Sequence, residues 1–260
     1  AGTLRFRSPV LSRSSALDPQ FIVVDYEVDG IGQRVLNAGG RATWTNKKKT
    51  LTVGASVIHD EDDRARTNAG GVDLRFVPNA QTEVRAEFAA SRASGKAGSV
   101  APARGTATAW LVEAEHHGPK YDLLAYAREQ ASGFGVGQTN ASEAGSRKFG
   151  FDGRLRVSPQ LSVVGSAWQE DFLRSSARRQ AGRASIEYRA KAVDLRAGLQ
   201  FANDRLSDGS AANSTLAQFG ATKRLFANKL ELDAQTEFAL GGSASIDFPA
   251  RHRLGARFAV

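Results

Sequence analysis

Residues 229–238 read Lys-Leu-Glu-Leu-Asp-Ala-Gln-Thr-Glu-Phe. Leu230, Leu232, Ala234, Thr236 and Phe238 fall on one side of an extended chain, and Glu231, Asp233, Gln235 and Glu237 fall on the other. A period of two marks a strand, because successive side chains leave opposite faces. One face is polar at every position, and the other is almost free of polar atoms. Repeated along a chain, this pattern predicts transmembrane strands with lipid on one face and a wet lumen on the other.

The pattern does repeat. It predicts strands over residues 21–28, 34–44, 50–58, 71–77, 82–90, 108–115, 121–128, 148–157, 161–168, 181–188, 193–201, 215–225, 229–238 and 252–260. That makes about fourteen strands, or about sixteen if the N-terminal segment also pairs, within the range of bacterial barrels. The expected fold is all-β: a transmembrane antiparallel up-and-down β-barrel over residues 20–260. Residues 1–19, broken by Pro9 and Pro19 and rich in Ser, read as a separate periplasmic or lumen segment.

The connections alternate in length. Residues 45–49, 78–81, 118–120, 158–160, 189–192 and 226–229 are short and rich in turn formers. Residues 59–70, 91–105, 130–145, 169–180, 203–214 and 239–250 are longer and rich in Gly, Ser, Ala and Asp. Short turns at one rim and long loops at the other predict periplasmic turns and extracellular loops. The C-terminus is then periplasmic.

Composition narrows the function classes. The 260 residues contain no Cys, so disulfides, thiol nucleophiles and cysteine metal sites are excluded. There is no Met, which suggests a mature or excised product. Net charge is +8, but Arg and Lys are interleaved with Asp and Glu instead of forming the clustered basic face of a nucleic-acid binder. Mean hydropathy is −0.34, and no apolar run reaches the ~18 residues of a membrane helix. A barrel strand needs only about 9–11 residues with one apolar face, so low hydropathy is compatible with a membrane.

The chain ends Arg253-Leu254-Gly255-Ala256-Arg257-Phe258-Ala259-Val260. This resembles the C-terminal recognition signal of Gram-negative outer-membrane β-barrels, although many of those end on Phe. The resemblance implies a bacterial outer-membrane location, contact with membrane lipid and lipopolysaccharide, and handling by the barrel-assembly machinery through residues 253–260. Asp25-Tyr26-Glu27-Val28-Asp29 also looks like the start of barrels at the C-terminal end of large multidomain surface proteins. That implies additional N-terminal domains or partner subunits.

Alternation assigns candidate residues to each face. Lumen-lining candidates are Arg75, Arg85, Glu87, Arg128, Asp152, Arg154, Arg156, Arg183, Glu187, Asp194, Arg196, Glu231, Asp233, Glu237, Arg253 and Arg257. Their structural role would be cross-strand ion pairing, worth about 0.2–1 kcal/mol per pair, and their functional role a charged pore wall. Tyr26, Trp44, Phe76, Phe88, Tyr121, Tyr188, Phe201, Phe238 and Phe258 are the candidate interfacial aromatics, near strand ends on the apolar face.

No catalytic set can be read. His59, His116, His117 and His252 lack the nucleophile partners of a hydrolase. Asp60-Glu61-Asp62-Asp63 lacks calcium-loop spacing, and the glycines of residues 133–137 precede no helix. No enzyme activity, metal or cofactor is expected. The function expected is a water-filled passive channel for small solutes with a mild anion preference. The alternative is a plugged anchor or translocator barrel of a larger surface protein.

Overall fold

The structure, a computed structural model, describes residues 36–61, 65–95, 105–135, 145–241 and 250–258. Among the described residues thirteen strands form one sheet in which every strand pairs with its neighbours in sequence. They are β1 (Ala38–Thr45), β2 (Leu51–Glu61), β3 (Ala65–Asn79), β4 (Thr82–Gly95), β5 (Gly105–His117), β6 (Tyr121–Gln130), β7 (Ser146–Arg156), β8 (Leu161–Phe172), β9 (Ala177–Arg189), β10 (Val193–Arg205), β11 (Ala211–Leu225), β12 (Leu230–Gly241) and β13 (Arg251–Phe258). All the pairings are antiparallel. Among the described residues no helix is long and apolar enough to cross a membrane. The all-β, up-and-down expectation is met, and each predicted strand from residue 34 onward has its counterpart. The strand expected over 21–28, the segment 1–19 and the boundary between them lie outside the described residues.

Register carries one face across the sheet. Arg75 opposes Arg85, Arg85 opposes Glu113, and Glu113 opposes Tyr126. Further along, Arg154 opposes Val164, Val164 opposes Ser185, Glu187 opposes Arg196, and Gln235 opposes Arg253. Directly opposed residues point to the same side, so these positions share a single charged face.

Burial is inverted relative to a soluble protein. On the apolar face Val57, Phe88, Phe151, Ile186 and Leu199 are exposed. On the charged face Asp122, Glu187, Asp204, Ser91 and Ser214 are buried. A soluble sandwich buries its apolar side, and fully buried acids are rare in one.

The apolar face has two ends. On β10, Val193, Leu195, Ala197, Leu199 and Phe201 give way to Asn203 and Arg205. On β8, Leu161, Val163, Gly165 and Ala167 give way to Gln169 and Asp171. On β2, Leu51, Val53, Ala55 and Val57 give way to His59 and Glu61. On β4, Val84, Ala86, Phe88 and Ala90 give way to Arg92 and Ser94. The switch comes about eight to ten residues from the short turn each time, close to the ~9–11 residues of a membrane strand. At ~3.3 Å per residue and a tilt near 40°, about nine residues span about 23 Å, against a lipid-facing band of ~25 Å.

Strand ends differ from the sequence expectation for this reason. Strands were expected to stop where the apolar alternation stopped, but pairing continues past it. β9 begins at Ala177 and β10 runs to Arg205. The connections after β2, β8 and β10 shrink to residues 62–64, 173–176 and 206–210, no longer than the turns of the opposite rim. Backbone pairing requires only a neighbouring strand, whereas the two-residue hydrophobic period also requires an apolar environment on one face. The outward side chains of the overrun pair with one another: Arg178–Asp171 at 2.6 Å, Arg147–Glu129 at 2.5 Å, Arg66–Glu61 at 2.6 Å and Gln180–Gln169 at 2.7 Å.

The turns use local chemistry. Asn46 Oδ1 accepts from the amides of Thr50 (2.8 Å) and Leu51 (3.2 Å). In the 206–210 connection Asp208 accepts from the hydroxyl and amide of Ser210, which holds its carboxyl below the usual range. Two glycines permit close approach on the charged face. A Cβ at Gly54 would lie 2.5 Å from Asp73 and 2.6 Å from Arg41, which pair across it. A Cβ at Gly150 would lie 2.7 Å from the Ala167 carbonyl and 2.8 Å from the Tyr126 hydroxyl.

Overpacking at Gly150 meets backbone that cannot yield. Gly150→Val is expected to destabilise the folded protein by about 1–3 kcal/mol. Gly220→Ala, whose added atom meets only contacts of 3.7 Å and longer, is expected to stay within about 0.5 kcal/mol. Urea unfolding of detergent-refolded protein, followed by Trp fluorescence, measures both.

Candidate functional site

The charged face is the candidate site, and two carboxylates organise it. Glu83 on β4 accepts from Arg75 on β3 (Nε 3.0 Å, Nη2 2.6 Å) and from Arg85 two residues along its own strand (2.5 Å). Arg75 and Arg85 are directly opposed, so Glu83 neutralises a like-charge pair that would otherwise repel. Glu187 on β9 is 5% exposed and gathers three arginines. Its Oε1 accepts from Arg196 Nη2 at 2.6 Å, and its Oε2 accepts from Arg154 Nη1 at 2.9 Å and Arg189 Nη2 at 3.2 Å.

Smaller pairs fill the intervals. Arg156 donates to Asp122 and to the Gly118 carbonyl (2.9 Å). Arg224 reaches Asp194 and lies 3.4 Å from Glu231. Arg179 forks onto Asp204 at 2.7 and 2.8 Å. Gln218 bridges Gln200 (2.7 Å) and Glu237 (3.1 Å). The pairs at β13 are looser: Arg253–Asp233 at 3.5 Å and Arg257–Glu231 at 3.7 Å, with Arg257 largely exposed.

All sixteen lumen candidates lie on this one face. Arg75 and Arg85 meet through Glu83, and Arg154, Arg196 and Glu187 meet directly. Glu87 opposes Asp73. Asp152 opposes Ser166, and Arg128 opposes Lys148. Arg183 opposes Ser166 and Gln200 and makes no ion pair among the described residues.

Of the aromatics, Trp44, Phe76, Tyr121, Tyr188 and Phe258 occupy the apolar face beside the short turns. Phe88, Phe201 and Phe238 mark the other edge of the apolar band, inside their strands instead of at strand ends. Tyr26 lies outside the described residues.

Several residues of this face escaped sequence reading. Arg179 and Asp204 share its parity but sit where the apolar alternation has faded, Arg189 falls in an expected turn, and Arg41, Asp122 and Arg224 lie within expected strands without having been singled out. Trp168 belongs to the charged face, with the Lys148 ammonium 4.3 Å from its ring centroid, a cation–π contact. Phe134 follows β6 in a connection that begins at Ala131, and the Gly135 amide donates to Ser91 Oγ on the charged face of β4 at 3.1 Å. Phe134 there borders a hollow lined by Glu87, Leu111 and Arg128.

The histidines form no shared centre. His59 bonds Asn68 at 2.7 Å, His116 bonds Thr82 at 3.0 Å and stacks on Tyr121, His117 lies 3.7 Å from Asp122, and His252 bonds Thr236 at 2.6 Å. No group of three metal-ligating side chains occurs among the described residues.

The two kinds of ion pair should differ in worth. Glu187→Gln removes the negative charge shared by the three guanidiniums and leaves them one acceptor oxygen, and it is expected to cost about 1–3 kcal/mol of unfolding free energy. Arg257→Gln, exposed and long-range, is expected to cost less than about 0.5 kcal/mol. Urea midpoints at constant slope check the contrast.

No protein family and no curated protein sequence matches the chain. Among solved structures, a crystal structure of an outer-membrane channel from Pseudomonas putida F1 is similar at 14% sequence identity and a TM-score of 0.33. The likeness covers 88% of this chain and 96% of that one.

Proposed function

We propose that this chain is a transmembrane β-barrel of a Gram-negative outer membrane, forming a water-filled passive channel for small solutes. The observation that carries the reading is the two-ended apolar face. Successive hairpins turn from apolar to polar side chains at a similar distance from their short turns, while the opposite face carries the paired arginines and carboxylates. A slab of lipid accounts for both, and a soluble sheet accounts for neither.

Lipid and lipopolysaccharide are the partners of the apolar band and its outward polar fringe. The strand carrying residues 253–260 is the one offered to the barrel-assembly machinery. The short turns face the periplasm. A mild anion preference is part of the proposal, and its source is local. The charged face of β3–β5 is richer in acids (Asp73, Glu83, Glu87, Glu113, Glu115), whereas that of β7–β11 is richer in arginine.

The plugged-anchor reading draws on one observation, the residues after β6 that reach the charged face through Gly135 and Ser91. We take this segment as a constriction within an open channel.

Planar-bilayer recording of refolded protein is expected to show discrete conductance steps. Silence would overturn the channel. Phe134→Ala is expected to raise unit conductance, and an unchanged value would remove Phe134 from the constriction. Leu199→Arg, in the middle of the band, is expected to cost about 2–4 kcal/mol, and Asn203→Arg, beyond it, about 0–1 kcal/mol. Equal costs in lipid-vesicle unfolding titrations would remove the lipid assignment.

A further inference from the structure

The arginines around Glu187 exceed what that carboxylate and its neighbours neutralise. Arg154, Arg189 and Arg196 all donate to Glu187. Arg183 lies on the same face of the same strand with no ion pair among the described residues. Each guanidinium carries five N–H donors, and a carboxylate with four lone-pair sites uses few of the fifteen presented by its three partners. Arg154 is mostly buried, with a side-chain exposure of 15%, but Arg189 and Arg196 are 60% and 52% exposed. Their spare donors therefore face solvent on the charged side.

A groove of about 640 Å³ lies over them, and its wall carries four cations, Arg189, Lys191, Arg196 and Arg224, against three carboxylates, Glu187, Asp194 and Glu237. That volume suits a small solute. Glu187 is the fixed point. Opposed to Arg196 in register and buried, it holds the two exposed forks by its two oxygens, so they are oriented before any ligand arrives.

We propose that this groove is a weak binding site for a compact multivalent oxyanion of the phosphate class, such as inorganic phosphate, pyrophosphate or a small phosphate monoester. Converging planar forks match a group with three or more oxygens better than a halide or a monocarboxylate. Lys191 and Arg224 at the groove wall add charge without needing exact geometry. The carboxylates Glu187, Asp194 and Glu237 keep the site from holding its anion too tightly, as a conducting pathway requires. The inference deepens the channel reading and rests on it for its role in passage, while binding itself can be measured without conduction.

The test uses the full chain refolded in a detergent free of phospholipid. Calorimetric titration with sodium pyrophosphate is expected to give affinity at least tenfold above that for acetate at matched ionic strength. Arg196→Gln and Arg189→Gln are each expected to weaken pyrophosphate binding by about tenfold while the far-ultraviolet β signal is unchanged. Arg178→Gln, on the outward polar fringe, is expected to leave it unaltered. Pyrophosphate binding no tighter than acetate, or undiminished in the Arg189→Gln/Arg196→Gln double variant, overturns the site.

A bilayer arm separates this from the channel reading. Conductance that pyrophosphate blocks in wild type but not in the double variant supports both. Calorimetric binding without conductance steps supports the site and overturns the channel. Steps without pyrophosphate block or binding overturn the site and leave the channel standing.

Discussion

Backbone hydrogen bonding between neighbouring strands is the constraint on which the rest depends. In an apolar slab no water replaces a missing partner, so each amide and carbonyl must be answered by the next strand. In the order β1 to β13 every strand from β2 to β12 is paired on both sides by its neighbours in sequence. Once the ladder is in place, alternation follows: every strand puts one set of side chains on the apolar face and the other on the charged face. The apolar face of Leu195, Leu199 and Phe201 and the charged face of Asp194, Arg196 and Gln200 are two sides of one requirement.

The charged face then has its own problem. Arginines and acids packed onto a partly dehydrated surface repel or attract strongly, and burying an unpaired one is costly. Glu83 and Glu187 resolve it by each serving more than one arginine. Small residues help. Gly54 lets Arg41 on β1 reach Asp73 on β3 over the strand between them. The arrangement that fixes register also leaves exposed guanidiniums around Glu187.

Much of this was legible in the chain. Strand existence and facing came through because an apolar face and a charged face impose a clean two-residue period: every candidate from Arg75 to Arg257 fell on one face. Strand ends did not come through. β9 and β10 continue where the apolar band stops, and there Arg178, Gln180, Asn203 and Arg205 carry no hydrophobic signal. Three connections read as long loops are largely strand for that reason. Trp168 was also invisible as a charged-face residue, because an aromatic at a strand end suits either face until register assigns one.

Sequence alone determined the fold class, the number and order of most strands, and the division of side chains between two faces. These are local properties: they depend on which way each residue points from its own backbone. Tertiary structure alone decided which charges meet. Arg154 is separated from Glu187 by a whole intervening strand, and Arg196 reaches it only through the β9–β10 register. A shift of one residue in that register would send Arg196 to the other face. Alternation within a strand cannot state how strands slide past one another, so the convergence of three arginines on one buried carboxylate belongs to the assembled sheet.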